Sequence, residues 1–142
     1  MNVLVITGSL YNMLGGPYHS VRDTCIAFRK KGYNVHIIGT RDSSAQSKDA
    51  QSYVDNIPGI IVTALKRIGP YNFHFSFNFL FYWNSVKKSD FVSIQSVWQL
   101  NCMLVALFSI LQNKPFYFAV RGEFNDSTSL KEPHKKIIKP FV

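Results

Sequence analysis

Five short runs rich in β-branched and aromatic residues, each followed by a turn, helical or polar segment, constrain this chain's fold more than any other feature. They read "NVLVITG" from Asn2, "NVHIIGT" from Asn34, "IIVTALK" from Ile60, "FVSIQS" from Phe91 and "PFYFAVRG" from Pro115. Runs of this length and content are buried strands. The segment "PYHSVRDTCIAFRKKGY" is a helix: Pro17 suits the first turn, Val21, Cys25 and Phe28 share a face, and Gly32 closes it after three cations. "VWQLNCMLVALFSILQN" is a second helix. Parallel strands need crossovers, so strands that alternate with helices make a parallel sheet covered on both faces. The expected class is α/β, a Rossmann-like doubly wound parallel sheet of about five or more strands.

One stretch fits two periods. Phe73, Phe75, Phe77, Phe79 and Phe81 alternate as in a strand, while Phe73, Phe77, Leu80, Phe81 and Asn84 follow helical spacing. A crossover is needed here and "KKSD" resembles a helix end, so a helix is expected from about Phe75 to Lys87. The segment from Arg41 to Ser52 is polar and reads as a loop, and Pro58-Gly59 leads into the third strand.

In a doubly wound sheet ligands sit at the carboxyl ends of strands. The places to search are Thr7 to Gly16, Gly39 to Asp42, Gln95 to Gln99 and Arg121 to Asp126. Gly15 and Gly16 offer backbone N–H groups at a helix mouth, a place for phosphate or carboxylate, or make the tight turn that Pro17 needs. Gly8 and Gly15 stand too far apart for a dinucleotide fingerprint. Arg121 beside Gly122 can hold an anionic oxygen or pair with Glu123 or Asp126. Gln95 and Ser96 can orient a hydroxyl, with helix capping the expected role of Ser96.

The 142 residues suffice for one domain, and 46% hydrophobic against 17% charged residues describes a folded chain. A net charge of +8 favours polyanionic partners without choosing among them. Cys25 and Cys102 lack metal-ligand spacing and are expected to be buried free thiols. His19, His36, His74 and His134 are scattered and form no metal pair. The uncharged run Phe91 to Asn113 is interrupted by polar residues and reads as strand plus helix, not a membrane span. The aromatic run beside Lys66, Arg67, Lys87 and Lys88 leaves a peripheral patch for an anionic membrane surface open. Nucleic acid is not expected as a partner, because no RNA- or DNA-binding pattern is present.

Taken in order, "MNVLVITGSLYNMLGGPYHSVRDTCIAFRKKGYNVHIIGTRD", "SDFVSIQSVWQLN" and "NKPFYFAVRGEFND" resemble the N-terminal half-domain of retaining family 4 glycosyltransferases of the GT-B fold. The resemblance implies transfer of a sugar from a nucleotide-sugar donor to a glycan or lipid-linked acceptor in surface polysaccharide or lipopolysaccharide synthesis. Its setting would be cytoplasmic, peripheral at the inner membrane face, with no metal or cofactor. It carries Gly15, Gly16 and Pro17 to a diphosphate-binding cleft and places Arg121 and Gly122 on the cleft floor. Ser93 and Gln95 stand where the family often has His.

On this reading residues 1–142 are the acceptor-side half of a GT-B architecture, truncated before the donor-binding half and inactive alone. A separate partner subunit could supply that half, making a split enzyme. Two other readings are a stand-alone Rossmann-like module for a phosphorylated ligand, and a basic peripheral-membrane or scaffold protein.

Overall fold

The computed structural model describes residues 1–10, 16–41, 58–69 and 75–119. Five parallel strands form one sheet: β1 (Asn2–Ser9), β2 (Asn34–Arg41), β3 (Ile60–Lys66), β4 (Phe91–Ile94) and β5 (Phe116–Phe118), in the order β3-β2-β1-β4-β5. The chain builds outward from β1 to β3, then crosses back to β4. The sheet therefore has a topological switch point between β1 and β4, the place where ligands bind in doubly wound folds.

Strand β1 is central because both its faces are apolar. Val3, Leu4, Val5 and Ile6 are each 0–1% exposed, and successive side chains point to opposite faces. Val3 and Val5 join Val35, Ile37, Val21 and Cys25 in one core; Leu4 and Ile6 join Ile38, Val92, Ile94, Tyr82, Val86, Cys102 and Val105 in the other. The first core is closed by helix α1 (Gly16–Lys30), the second by α2 (Phe79–Lys88) and α3 (Leu100–Leu111). This is the doubly wound, Rossmann-like arrangement. Each buried aliphatic of β1 contributes about 1.5–3 kcal/mol by leaving water. Cys25 and Cys102 are free and buried, one in each core.

Local chemistry sets the ends of the elements. Gly32, at φ 83°, follows α1 in a left-handed turn, with its N–H on the Arg29 carbonyl and the Tyr33 N–H on that of Phe28. Gly59, at φ 86°, leads into β3, and the Arg29 Nε donates to the carbonyl of Pro58 beside it. Helix α2 starts at Phe79, not near Phe75. The Ile68 N–H donates to the Phe75 carbonyl at 2.8 Å in an isolated antiparallel bridge, so Phe75 is extended. Asn78 Nδ2 then donates to Ser76 Oγ at 3.0 Å, and the helix opens one residue later.

Candidate functional site

The switch point between β1 and β4 is lined by polar groups that the change in strand order brings together. At its floor the Gln95 N–H donates to the Ile6 carbonyl at 2.8 Å, extending the ladder one residue beyond β4. Gln95 Nε2 donates to Ser93 Oγ at 2.5 Å, and Ser93 Oγ donates to the Tyr117 hydroxyl at 2.9 Å. Ser93 and Gln95 are buried, at 0% and 5% exposure, so each needs the partners it has. The other wall is Asn101, fully buried, whose Nδ2 donates to the Thr7 carbonyl at 2.9 Å while its Oδ1 accepts from the Cys102 N–H. Thr40 Oγ1 donates to the Gly8 carbonyl at 2.6 Å. A Cβ on Gly8 would meet the flexible end of the Gln99 side chain, whose amide lies over the glycine. Gln99 thus lies across the end of β1 and fills the room that an opening glycine would otherwise offer a ligand.

A second cluster lies at the carboxyl ends of β2 and β3. Register pairs Arg41 with Lys66, and the Arg67 N–H donates to the Arg41 carbonyl at 2.9 Å. Arg41 Nε donates to the Ala64 carbonyl at 3.2 Å, and Arg67 Nη1 to the Gly69 carbonyl at 2.7 Å. The bridge from Ile68 to Phe75 brings an aromatic cluster against this basic ledge. Phe75, Phe77 and Phe79 have ring centroids 5.1–6.0 Å apart, and Phe77 is 61% exposed. Among the described residues, several other cations have local explanations at the opposite, amino edge. Arg29 and Lys30 end α1 and Lys87 and Lys88 end α2, where the helix dipole favours them. Lys114 donates to the Ser89 carbonyl at 2.7 Å. Of the described acidic residues, Asp90 binds the Asn2 N–H at that same amino edge and Asp23 lies on α1. Among the described residues the ledge at β2 and β3 has no helix terminus to complement.

A hollow of about 530 Å³ lies over the amino halves of β1, β2 and β3, beside α2, and its lining includes His36, Ile61, Phe81, Asn84 and Lys88. His36 Nε2 is 2.9 Å from Thr63 Oγ1, and its ring stands edge-on to Phe81. Burial, with a smaller contribution from the Lys88 charge, pushes its pKa below the ordinary imidazole value. Burial raises the Tyr82 hydroxyl far above its usual range, with the Cys102 thiol adding to the shift.

Of the residues expected from sequence to bind a diphosphate, Gln95 lies at the switch point, held by Ser93. Gly16 opens α1 and Pro17 follows it. Gly15, Arg121 and Gly122 lie outside the described residues. Ser96 does not cap α3: the N-cap position falls on Gln99, which makes no side-chain cap bond. Gly39 to Asp42 was a place to search, but its union with Lys66 and Arg67 in one ledge was not anticipated. Lys66 and Arg67 stood out beside the aromatics, but Arg41 joins them only through the strand register. Among the described residues no group of side chains has the makeup of a metal centre, and no helix is long and apolar enough to cross a membrane.

No family model matches the chain, and no curated protein matches it. Among solved structures, it is similar to a predicted subunit of tRNA methyltransferase from Methanocaldococcus jannaschii. The two share 16% identity over 92% of this chain and 72% of the other, with a TM-score of 0.46. The resemblance to family 4 glycosyltransferases is withdrawn: neither the families nor the curated proteins carry it. The motifs that suggested it are strand ends and helix mouths common to doubly wound sheets, so their order reports the fold and not the sugar chemistry. Polysaccharide and lipopolysaccharide synthesis, the nucleotide-sugar donor and the glycan or lipid-linked acceptor fall with it. The expected exclusion of nucleic acid is withdrawn as well: it rested on the lack of a sequence motif, and phosphate contacts by cations require none.

Proposed function

We propose that this chain is a single-stranded RNA-binding α/β domain that holds its ligand along the carboxyl ends of β2 and β3. The observation that carries this is the ledge of Arg41, Lys66 and Arg67 set against the Phe75, Phe77 and Phe79 cluster. Single strands are held by cations that track the phosphates and by aromatic faces on which bases stack, and the ledge supplies both within one surface. The net charge of +8 supplies long-range attraction. Lys66 is exposed and Arg41 half-buried, so one ammonium and one planar guanidinium meet adjacent phosphates from neighbouring strands.

The test is fluorescence anisotropy with a labelled oligouridylate over a salt series. Three phosphate contacts give a log–log salt slope of about −2 for a single strand, and Arg41→Gln with Lys66→Gln brings it to about −0.7. Phe77→Ala weakens binding by about 1–3 kcal/mol, roughly 5- to 150-fold, and leaves the slope unchanged. A wild-type slope that the two cation substitutions do not alter, or no binding at low salt, overturns the assignment.

A further inference from the structure

Helix α3 is apolar on both sides. Its inward face, Asn101, Cys102, Val105, Ala106 and Ser109, packs on the sheet. Its outward face carries Leu100, Met103, Leu107, Ile110 and Leu111, at 41%, 52%, 51%, 60% and 60% exposure. No acidic residue lies in its first turn and no basic residue in its last. A helix that is hydrophobic all round belongs inside a larger structure. Five such side chains expose roughly 500 Å². Leu80, 79% exposed, lies one turn before Trp83 on α2, and Trp83 packs on Phe108 of α3 with centroids 5.2 Å apart. The α3 face alone is thus as large as the largest patch usual on a monomer, about 300–600 Å², a size that marks an interaction surface.

We infer that this face is covered by a second copy of the chain, with the two α3 helices packed antiparallel across a two-fold axis. The spacing of the stripe selects that occupant. Leu100, Met103, Leu107 and Ile110 are separated by three, four and three residues, a pattern that reads the same in both directions. A two-fold axis through the middle of the helix sets Leu100 against the partner copy's Ile110 and Met103 against its Leu107. Four of the five exposed apolar positions are matched in this way, as an isologous interface requires, and Leu111 falls at the rim opposite Gln99. Charge agrees: two chains of +8 repel, so they can meet only where the surface carries no cation, and α3 has none. A membrane surface fits less well, since helices lying in an interface carry Lys and Arg on their other face and α3 buries that face in the core.

The test is light scattering after size exclusion, with the full chain. The expected mass is about 32 kDa, twice the 16.2 kDa of one chain. Met103→Glu alone and Leu107→Lys alone each give the monomer, because a charge then faces an apolar side chain. Mixed in equal amounts, the two variants associate, since the Glu of one meets the Lys of the other across the axis. A misfolded variant would not be rescued by mixing, so recovery separates lost contact from lost fold. A monomeric wild type overturns the inference, and binding of that monomer to anionic vesicles would give the face to a membrane instead. Dimers that persist in both single variants overturn it too.

Discussion

His36 shows how one side chain can carry a stability signal that its position in the sequence hides. It lies on a strand, accepts or donates one bond with Thr63 and stands edge-on to Phe81, with Lys88 the cation beside it. Its folded pKa is lowered, first by burial and then by Lys88, so the folded chain binds a proton less readily than the unfolded chain does. The stabilisation is therefore complete above the unfolded value of 6.5 and is lost as pH falls toward the folded value. Urea midpoints of the wild type should fall between pH 7.5 and pH 5, and His36→Gln should flatten the part of that slope that imidazole contributes. Equal slopes in both proteins would remove His36 as the cause. Composition gave no sign of this, because a scattered histidine becomes a titrating core residue only when strand and helix meet over it.

Among the elements, strands were the most legible and helix starts the least. β1 and β2 fall where Val and Ile cluster, because burial on both faces demands such runs, and the edge strand β3 keeps the same content while half-exposed. The Phe75–Phe81 stretch satisfied two periods because the chain uses both. Alternation holds for Phe75, Phe77 and Phe79, whose rings cluster, and helical spacing holds from Phe79 onward. The bridge to Ile68 decides between them, and its partner lies on the far side of residues 70–74. Helix α3 ends by a related local device. Asn113, at φ 51°, is exposed and adopts the left-handed conformation, and the Lys114 N–H turns back to the Ser109 carbonyl at 2.8 Å. A β-branched side chain at that φ is strained, so Asn113→Val should cost about 1–2 kcal/mol, while Asn113→Gly should be close to neutral. Chemical denaturation of the three proteins checks this. A valine variant as stable as the glycine variant would show that the turn does not hold the helix end.

Among the described residues the basic ledge and the bare face of α3 sit on different elements, and which surfaces stay open was not written in any one stretch. Arg41 and Lys66 stand far apart in the chain and meet only because β2 and β3 pair in parallel register. The α3 stripe reads as ordinary core helix until the sheet takes one face of it and leaves the other uncovered. The two surfaces should respond to salt with opposite signs. Screening shortens the reach of charge from about 10 Å at 0.1 M to about 3 Å at 1 M, which weakens repulsion between two chains of +8. The same ions compete with Arg41, Lys66 and Arg67 for phosphate and remove the gain from counterion release. Raising sodium chloride from about 0.05 M to about 0.5 M should therefore tighten self-association while it loosens oligouridylate binding by about a hundredfold. Sedimentation and anisotropy on one preparation measure both trends. If both weaken together, the apolar face and the basic ledge are not independent, and RNA rather than the α3 stripe is what draws two copies together.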